Sequence, residues 1–286
     1  MKRTIFQHIP KTAGSSIREV FIQNFKGNIF VLGSRFDIKN LLYLDQKSRD
    51  EIELLYGHAN YGIHRSFSSD DSEYCAFLRD PVDRTISQYH YIKNNPDTHF
   101  HKYANQMDMV EFIRAGHTRL SDNCMVRMIS GVKAIYGKCT ITMLDQALEN
   151  IDRHYCFVGL FEQLDEDMNR LSAMFGWGDV SVPHVNVTAN RPTVDSLWDS
   201  EHGIIVDHNQ LDIVLYEKVK ERLHAIEANN GQSIRQPGPA SIEAVGEQQT
   251  SIKAGDLGEG SGPGEAAPIC KTTSLRDLWN KAIGNT

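Results

Sequence analysis

The sequence predicts an α/β fold: a single domain with a mostly parallel central sheet flanked by helices. Three observations predict it. Short apolar runs alternate along the chain with amphipathic stretches of helical period, the pattern of parallel strands joined by helices. Two of those runs end in glycine- or proline-containing turns that open directly into a helix. A length of 286 residues, 40% hydrophobic and 23% charged, supplies ample core for one large soluble domain.

The elements follow in order. "RTIFQHI" (3–9) reads as a short buried strand, and "SSIREVFIQNF" (15–25) as the helix after it, with Ile17, Val20, Phe21 and Phe25 on one face. "NIFVL" (28–32) is a second strand. "KSRDEIELLYGH" reads as a helix running towards a strand edge and ending near Gly57. "SEYCAFLRDP" (72–81) is a strand that must stop at Pro81, and "PVDRTISQYHYIKNN" continues as a helix with proline in its first turn. Helical segments fill residues 107–152, "HYCFVGLFE" (154–162) is a buried strand, and "EQLDEDMNRLSAMFG" is an amphipathic helix. Leu211, Leu215, Val219 and Leu223 mark one stripe of a final long helix. The domain so defined spans residues 1–228. Residues 229–272, poor in large apolar side chains, read as a flexible linker, and 273–286 as a short C-terminal helix or a frayed tail.

Composition bounds the function. A formal charge of −7 argues against a general nucleic-acid binder, whose affinity comes from basic surface. The five cysteines, Cys75, Cys124, Cys139, Cys156 and Cys270, are odd in number and lack metal-type spacing, which fits a reduced, cytoplasmic setting. No apolar run is long enough for a signal peptide or a membrane span. His99 and His101 form an HxH pair in a polar stretch with no further ligands near in sequence, so no metal is expected.

Two stretches carry chemistry. In "HIPKTAGSS" (8–16) a strand passes through a tight turn into a helix start, which presents backbone N–H groups to an anion at the positive end of the helix dipole. Lys11 adds a full charge, Ser15 and Ser16 add hydroxyl donors, and Gly14 permits close approach of a ligand. The plainer reading is an ordinary turn in which a serine caps the helix. The lysine precedes the glycine, so the Walker order GxxxxGK[ST] is absent, and the short turn has room for one phosphate and what is bonded to it. "FLRDPVDRTISQY" (77–89) repeats the logic at a second strand end: Arg79 leaves the sheet and Ser87 lies two helical turns on. An arginine there can grip a phosphate bidentately, or it can simply pair with Asp80 or Asp83.

Together the two stretches resemble the sulfotransferases that use 3′-phosphoadenosine 5′-phosphosulfate (PAPS). They are most similar to the branch of carbohydrate (heparan and uronyl) 2-O-sulfotransferases and their bacterial relatives. "YGHANYG" (56–62), "LSDNCMVRMISG" (120–131) and "VGLFEQLDEDMNRL" (158–171) extend the likeness across residues 3–176, although Tyr56 stands where the eukaryotic relatives carry a histidine. The resemblance implies a P-loop-kinase-like sulfotransferase fold, PAPS as co-substrate, no metal, and a small-molecule or carbohydrate acceptor. It implies that Lys11, Thr12, Ala13, Gly14, Ser15 and Ser16 hold the 5′-phosphosulfate, and that Arg79 and Ser87 hold the 3′-phosphate. His58 aligns with the family's catalytic base, with Lys11 stabilising the leaving group; His8 is the nearest rival and is expected to orient the turn. A histidine suits the role because its ordinary pKa of about 6.5 leaves it largely neutral near pH 7. Asn123 and Arg127, one helical turn apart, resemble acceptor-side positions, or else form a structural pair; His64 is a further acceptor-side candidate. Asn186 and Arg191, in "VPHVNVTANRP", are candidates for closing over the donor. Two other classes compete: an ATP-dependent small-molecule kinase, against which the absent Walker order speaks, and a non-catalytic nucleotide-binding protein. Magnesium dependence and the nucleotide consumed separate them.

Overall fold

A computed structural model of the chain describes residues 2–33, 35–69, 71–183 and 192–228. Among these, five strands form one all-parallel sheet: β1 (Arg3–Gln7), β2 (Ile29–Leu32), β3 (Leu54–Gly57), β4 (Ser72–Leu78) and β5 (Tyr155–Leu160), in the order β2-β3-β1-β4-β5. Every residue of β1 and β3 is buried, because each strand is paired on both edges and covered on both faces. That is why adjacent apolar residues, Ile5–Phe6 in β1 and Leu54–Tyr56 in β3, replace strict alternation.

Helices cover both faces, as the sequence predicts. On one face Phe6, Tyr56, Cys75, Phe77 and Phe157 pack against α1 (Gly14–Asn24) through Ile17, Val20 and Phe21, and against α9 (Leu164–Phe175) through Met168 and Leu171. On the other face Ala76, Leu78 and Leu160 meet α7 (Cys124–Ser130), α8 (Ile141–His154) and α11 (Gln210–Ala228). Ile5, Leu55 and Tyr74, on that same face, pack with Leu41 of α2 (Arg35–Tyr43). A satellite core joins α4 (Pro81–Asn94), α5 (His101–Gln106), α6 (Met109–Ala115) and α10 (Asp199–His208).

One segment departs from the sequence reading. "KSRDEIELLYGH" is not a helix ending near Gly57: only a short α3 (Gln46–Asp50) forms, and Leu54–Gly57 is the strand β3. Its leucines are needed between β1 and β2, where a strand buries both faces at once. Gly57 itself is irreplaceable at this strand end. Its φ is +143°, and a Cβ there would lie 2.2 Å from the carbonyl oxygen of Leu32.

Two helix starts are fastened to each other. Asn123, at the N-cap of α7 with φ 44°, accepts N–H bonds from Leu211 and Asp212 at 2.9 and 3.1 Å. Asp212 returns the favour, its carboxylate accepting from Met125 and Val126 at 3.0 and 2.8 Å. Burial raises the Asp212 carboxyl to about 6, with Arg84 opposing the rise. The expected linker (229–272) and C-terminal helix (273–286) lie outside the described residues.

Candidate active site

The ends of β3, β1 and β4 lie side by side, and each delivers one of the predicted groups. This is also where the chain, having wound from β1 out to β2 and β3, crosses over to β4; crevices at such reversals are where open parallel sheets bind ligands. A cleft of about 1760 Å³ opens there, lined by the turn after β1, by His58 and Asn60 after β3, and by one side of α4.

The turn after β1 is strained in two places. Lys11 and Ala13 both have positive φ, 73° and 59°, although neither is glycine. Such residues cost about 1–3 kcal/mol each and persist where the surroundings demand them. Left-handed residues in a tight turn curl the main chain into a concavity of N–H groups suited to an anion. Ala13 stands at the N-cap of α1 with no polar side chain to offer, so the donors of the first turn are not met by a cap from that position. Thr12, fully buried, donates its hydroxyl to the Ile9 carbonyl at 2.8 Å and so shapes the turn. Ser15 and Ser16 both line the cleft, Ser15 exposed and Ser16 buried. Gly14 lines the cleft and also makes room for a neighbour. A Cβ would fall 1.8 Å from His8 Nε2, so the missing side chain makes room for an imidazole; its carbonyl also accepts the Tyr56 hydroxyl at 2.6 Å.

His58 directs its Nδ1 to the His8 carbonyl oxygen at 2.8 Å. A carbonyl only accepts, so Nδ1 carries the proton and the neutral ring keeps its lone pair on Nε2. The His8 ring stacks on the His58 ring at 4.2 Å between centroids and 26° between planes. Burial lowers the His58 pKa below its usual 6.5, with the bond to the His8 carbonyl opposing. Burial, then the neighbouring His58 and Lys11, hold His8 well below 6.5. Two neutral imidazoles therefore sit together at neutral pH, and the bond to the His8 carbonyl fixes the basic nitrogen of His58 as Nε2.

Arg79 is held on three sides. Its Nε and Nη2 donate to Asp83 at 2.8 and 2.5 Å, its Nη1 donates to the Lys11 carbonyl at 2.8 Å, and its carbon lies 3.9 Å over the Phe161 ring. The pairing with Asp83 thus coexists with a tie to the first turn; the two predicted anion elements touch. Ser87, on α4, lines the cleft two turns further on. The Lys11 amine rests 4.1 Å over the ring of Tyr91, one turn beyond Ser87.

The acceptor-side candidates divide. Arg127 lines the cleft, but its guanidinium pairs with Asp122 and donates to the carbonyls of Asp122, Ala134 and Ile135. Asn123 is spent on the α7–α11 junction and does not line the cleft, and His64 is buried against the Tyr74 hydroxyl at 2.7 Å, away from it. Each has a structural partner in place of a position on the cleft wall. Asn186 and Arg191 lie outside the described residues. Among the described residues no cluster of three or more His, Cys, Asp or Glu has metal-site geometry. Sequence reasoning passed over Tyr91 and Phe161. The spacing of Asp83, Ser87 and Tyr91, four residues apart, was the available signal for the first.

The model of the sulfotransferase family matches residues 2–218. The chain belongs to the sulfotransferase family. No curated protein matches the chain. Among solved structures it is similar to mouse sulfotransferase SULT7A1 complexed with PAP, at 16% identity and a TM-score of 0.39, over 63% of this chain. The match spans 60% of the mouse chain. No helix among the described residues is long and apolar enough to cross a membrane.

Proposed function

We propose that the protein transfers the sulfuryl group of PAPS in line to a hydroxyl of a carbohydrate acceptor, with His58 as base. The observation that carries this reading is the junction of three neighbouring strand ends, which sets His58, the Lys11 turn and Arg79 around one cleft. His58 Nε2 takes the proton of the attacking hydroxyl as its nucleophilicity develops. Lys11 meets negative charge growing on the bridging oxygen of the departing adenosine bisphosphate. The turn's N–H groups and Ser15 and Ser16 hold the 5′-phosphosulfate oxygens, and Arg79 with Ser87 holds the 3′-phosphate. Positioning and fixed charge do most of the work, as in phosphoryl transfer.

The rest of the cleft supports a polyhydroxylated acceptor. Asn60, Gln88, Asn94, Asn95 and Thr118 place amides and a hydroxyl along it, beside apolar side chains such as Phe100, Leu120 and Val132. Amide groups both donate and accept, which suits sugar hydroxyls. The deciding experiment is transfer of labelled sulfonate from PAPS to a panel of sugars, phenols and lipids, with magnesium present and absent. Consumption of ATP in place of PAPS, or a strict magnesium requirement, would replace the reading with a kinase.

Arg79→Ala is expected to weaken adenosine 3′,5′-bisphosphate binding on the order of 10- to 100-fold, the loss of charge-assisted hydrogen bonds. Turnover at saturating PAPS falls as well, because the same guanidinium anchors the Lys11 carbonyl. Titration calorimetry and a saturation curve separate the two effects; an unchanged bisphosphate affinity would move the 3′-phosphate elsewhere.

A further inference from the structure

Lys11 is gripped at both ends by a single segment of chain. Arg79, at the end of β4, takes its carbonyl oxygen at 2.8 Å, and Tyr91, three turns along α4, lies under its amine at 4.1 Å. Between them the main chain of Lys11 is held at φ 73°. Neither contact is incidental to packing. Tyr91 is 42% exposed and belongs to none of the hydrophobic clusters that bury its neighbours Tyr89 and Ile92. Its ring lines the cleft, and Asn95, a turn further on, donates to its hydroxyl at 3.2 Å, fixing the ring's tilt. Asp83, Ser87 and Tyr91 lie one above the other on α4, so one helical stripe holds the arginine, offers the serine and seats the lysine.

We propose that Tyr91 is a positioning residue for sulfuryl transfer: its ring face seats the Lys11 ammonium where charge develops on the leaving oxygen. The inference rests on the reading of this cleft as a PAPS site and adds a residue that neither sequence motif contains as a ligand. A lysine is a point charge on a flexible four-carbon stem, and an unseated amine must be ordered at the moment of reaction. An aromatic face orders it beforehand through the ring quadrupole, an attraction that itself consumes no hydrogen bond. A carboxylate in the same place would order the amine too, but would neutralise the charge the reaction needs.

The test compares Tyr91→Leu with Tyr91→Phe. Turnover of labelled PAPS is followed with the best acceptor of the panel, or with water where none is found, and adenosine 3′,5′-bisphosphate affinity is measured beside it. Tyr91→Leu is expected to lower turnover at saturating PAPS by about 10-fold, the loss of one cation–π contact, with bisphosphate affinity falling no further than turnover, because the leaving oxygen carries its full charge in that product. Tyr91→Phe, which keeps the ring, restores most of that loss. As a readout independent of turnover, lysines are reductively methylated with ¹³C-formaldehyde and the Lys11 signal is assigned with Lys11→Arg. That signal is shifted upfield by the ring in the wild type and in Tyr91→Phe, and returns to the ordinary lysine position in Tyr91→Leu. Full turnover in Tyr91→Leu overturns the proposal. So does a Tyr91→Phe variant as slow as Tyr91→Leu, or a bisphosphate affinity that falls well beyond the loss of turnover, which would make the ring a nucleotide-binding surface. A wild-type protein whose Lys11 signal carries the ring shift but which neither binds adenosine bisphosphate nor consumes PAPS overturns both the proposal and the functional reading. A wild-type protein that is active, with an unshifted Lys11 signal, overturns the proposal alone.

Discussion

Lys11→Ala is expected to lower sulfuryl-transfer turnover by about 100- to 1000-fold, the usual loss when one well-placed donor to developing charge is removed. The variant isolates the amine. Alanine and lysine pay similarly for a left-handed main chain, and the Lys11 carbonyl that Arg79 holds at 2.8 Å survives the substitution, so the turn keeps its shape. The amine is the group lost, together with its seat 4.1 Å over Tyr91. The measurement is turnover at saturating PAPS, with circular dichroism confirming the fold. A variant that retains near-wild-type turnover would remove Lys11 from the chemistry and leave it only a contributor to the surface charge of the cleft.

His58→Ala is expected to cost about 100- to 10,000-fold, the range for loss of a general base. Its pH profile carries the sharper test. With Nδ1–H committed to the His8 carbonyl, protonation can occur only at Nε2, and it removes the lone pair that would accept the acceptor's proton. Burial lowers the pKa of this imidazole below 6.5, so the wild-type rate is expected to be level through neutral pH. It falls only on acidification, with its inflection below 6.5. The direction follows from the charged form being the one that burial disfavours. In His58→Ala the acidic limb disappears along with most of the rate. A rate that instead climbs through pH 7 to 8 would point to a base of higher pKa and sink the assignment.

Much of the sheet was legible because strands buried on both faces carry adjacent apolar residues: "IF" within "RTIFQ" and "YCAFL" within "SEYCAFL" show no alternation, and each strand ends in a turn whose residues announce a helix. The first turn and Arg79 were legible for a related reason, since lysine, arginine and serine at strand-to-helix junctions have few structural uses together. What was not legible required the third dimension. The stretch 47–58 looked helical because two leucines beside a charged run satisfy a helical period as well as a strand. Asn123 and Arg127 looked equivalent because their spacing puts them on one helix face; nothing in the sequence tells that Arg127 alone lines the cleft, or that Leu211 and Asp212, and the carbonyls of Ala134 and Ile135, already hold the pair. The sequence does not show that the space left by the missing side chain of Gly14 is filled by the ring of His8, six residues away but folded back on it.

The reciprocal capping of α7 and α11 sets a limit on trimming the gene. A product ending before residue 209 would keep every strand of the sheet and every group assigned to the chemistry. It would nevertheless strip the carboxylate from the amides of Met125 and Val126 and leave the Asn123 side-chain oxygen without its two donors. The floor of the cleft, where Cys124 and Met128 sit, would then hang from a helix whose first turn had lost its anchor. The minimal expressible domain therefore runs through α11, even though no residue of that helix lines the cleft.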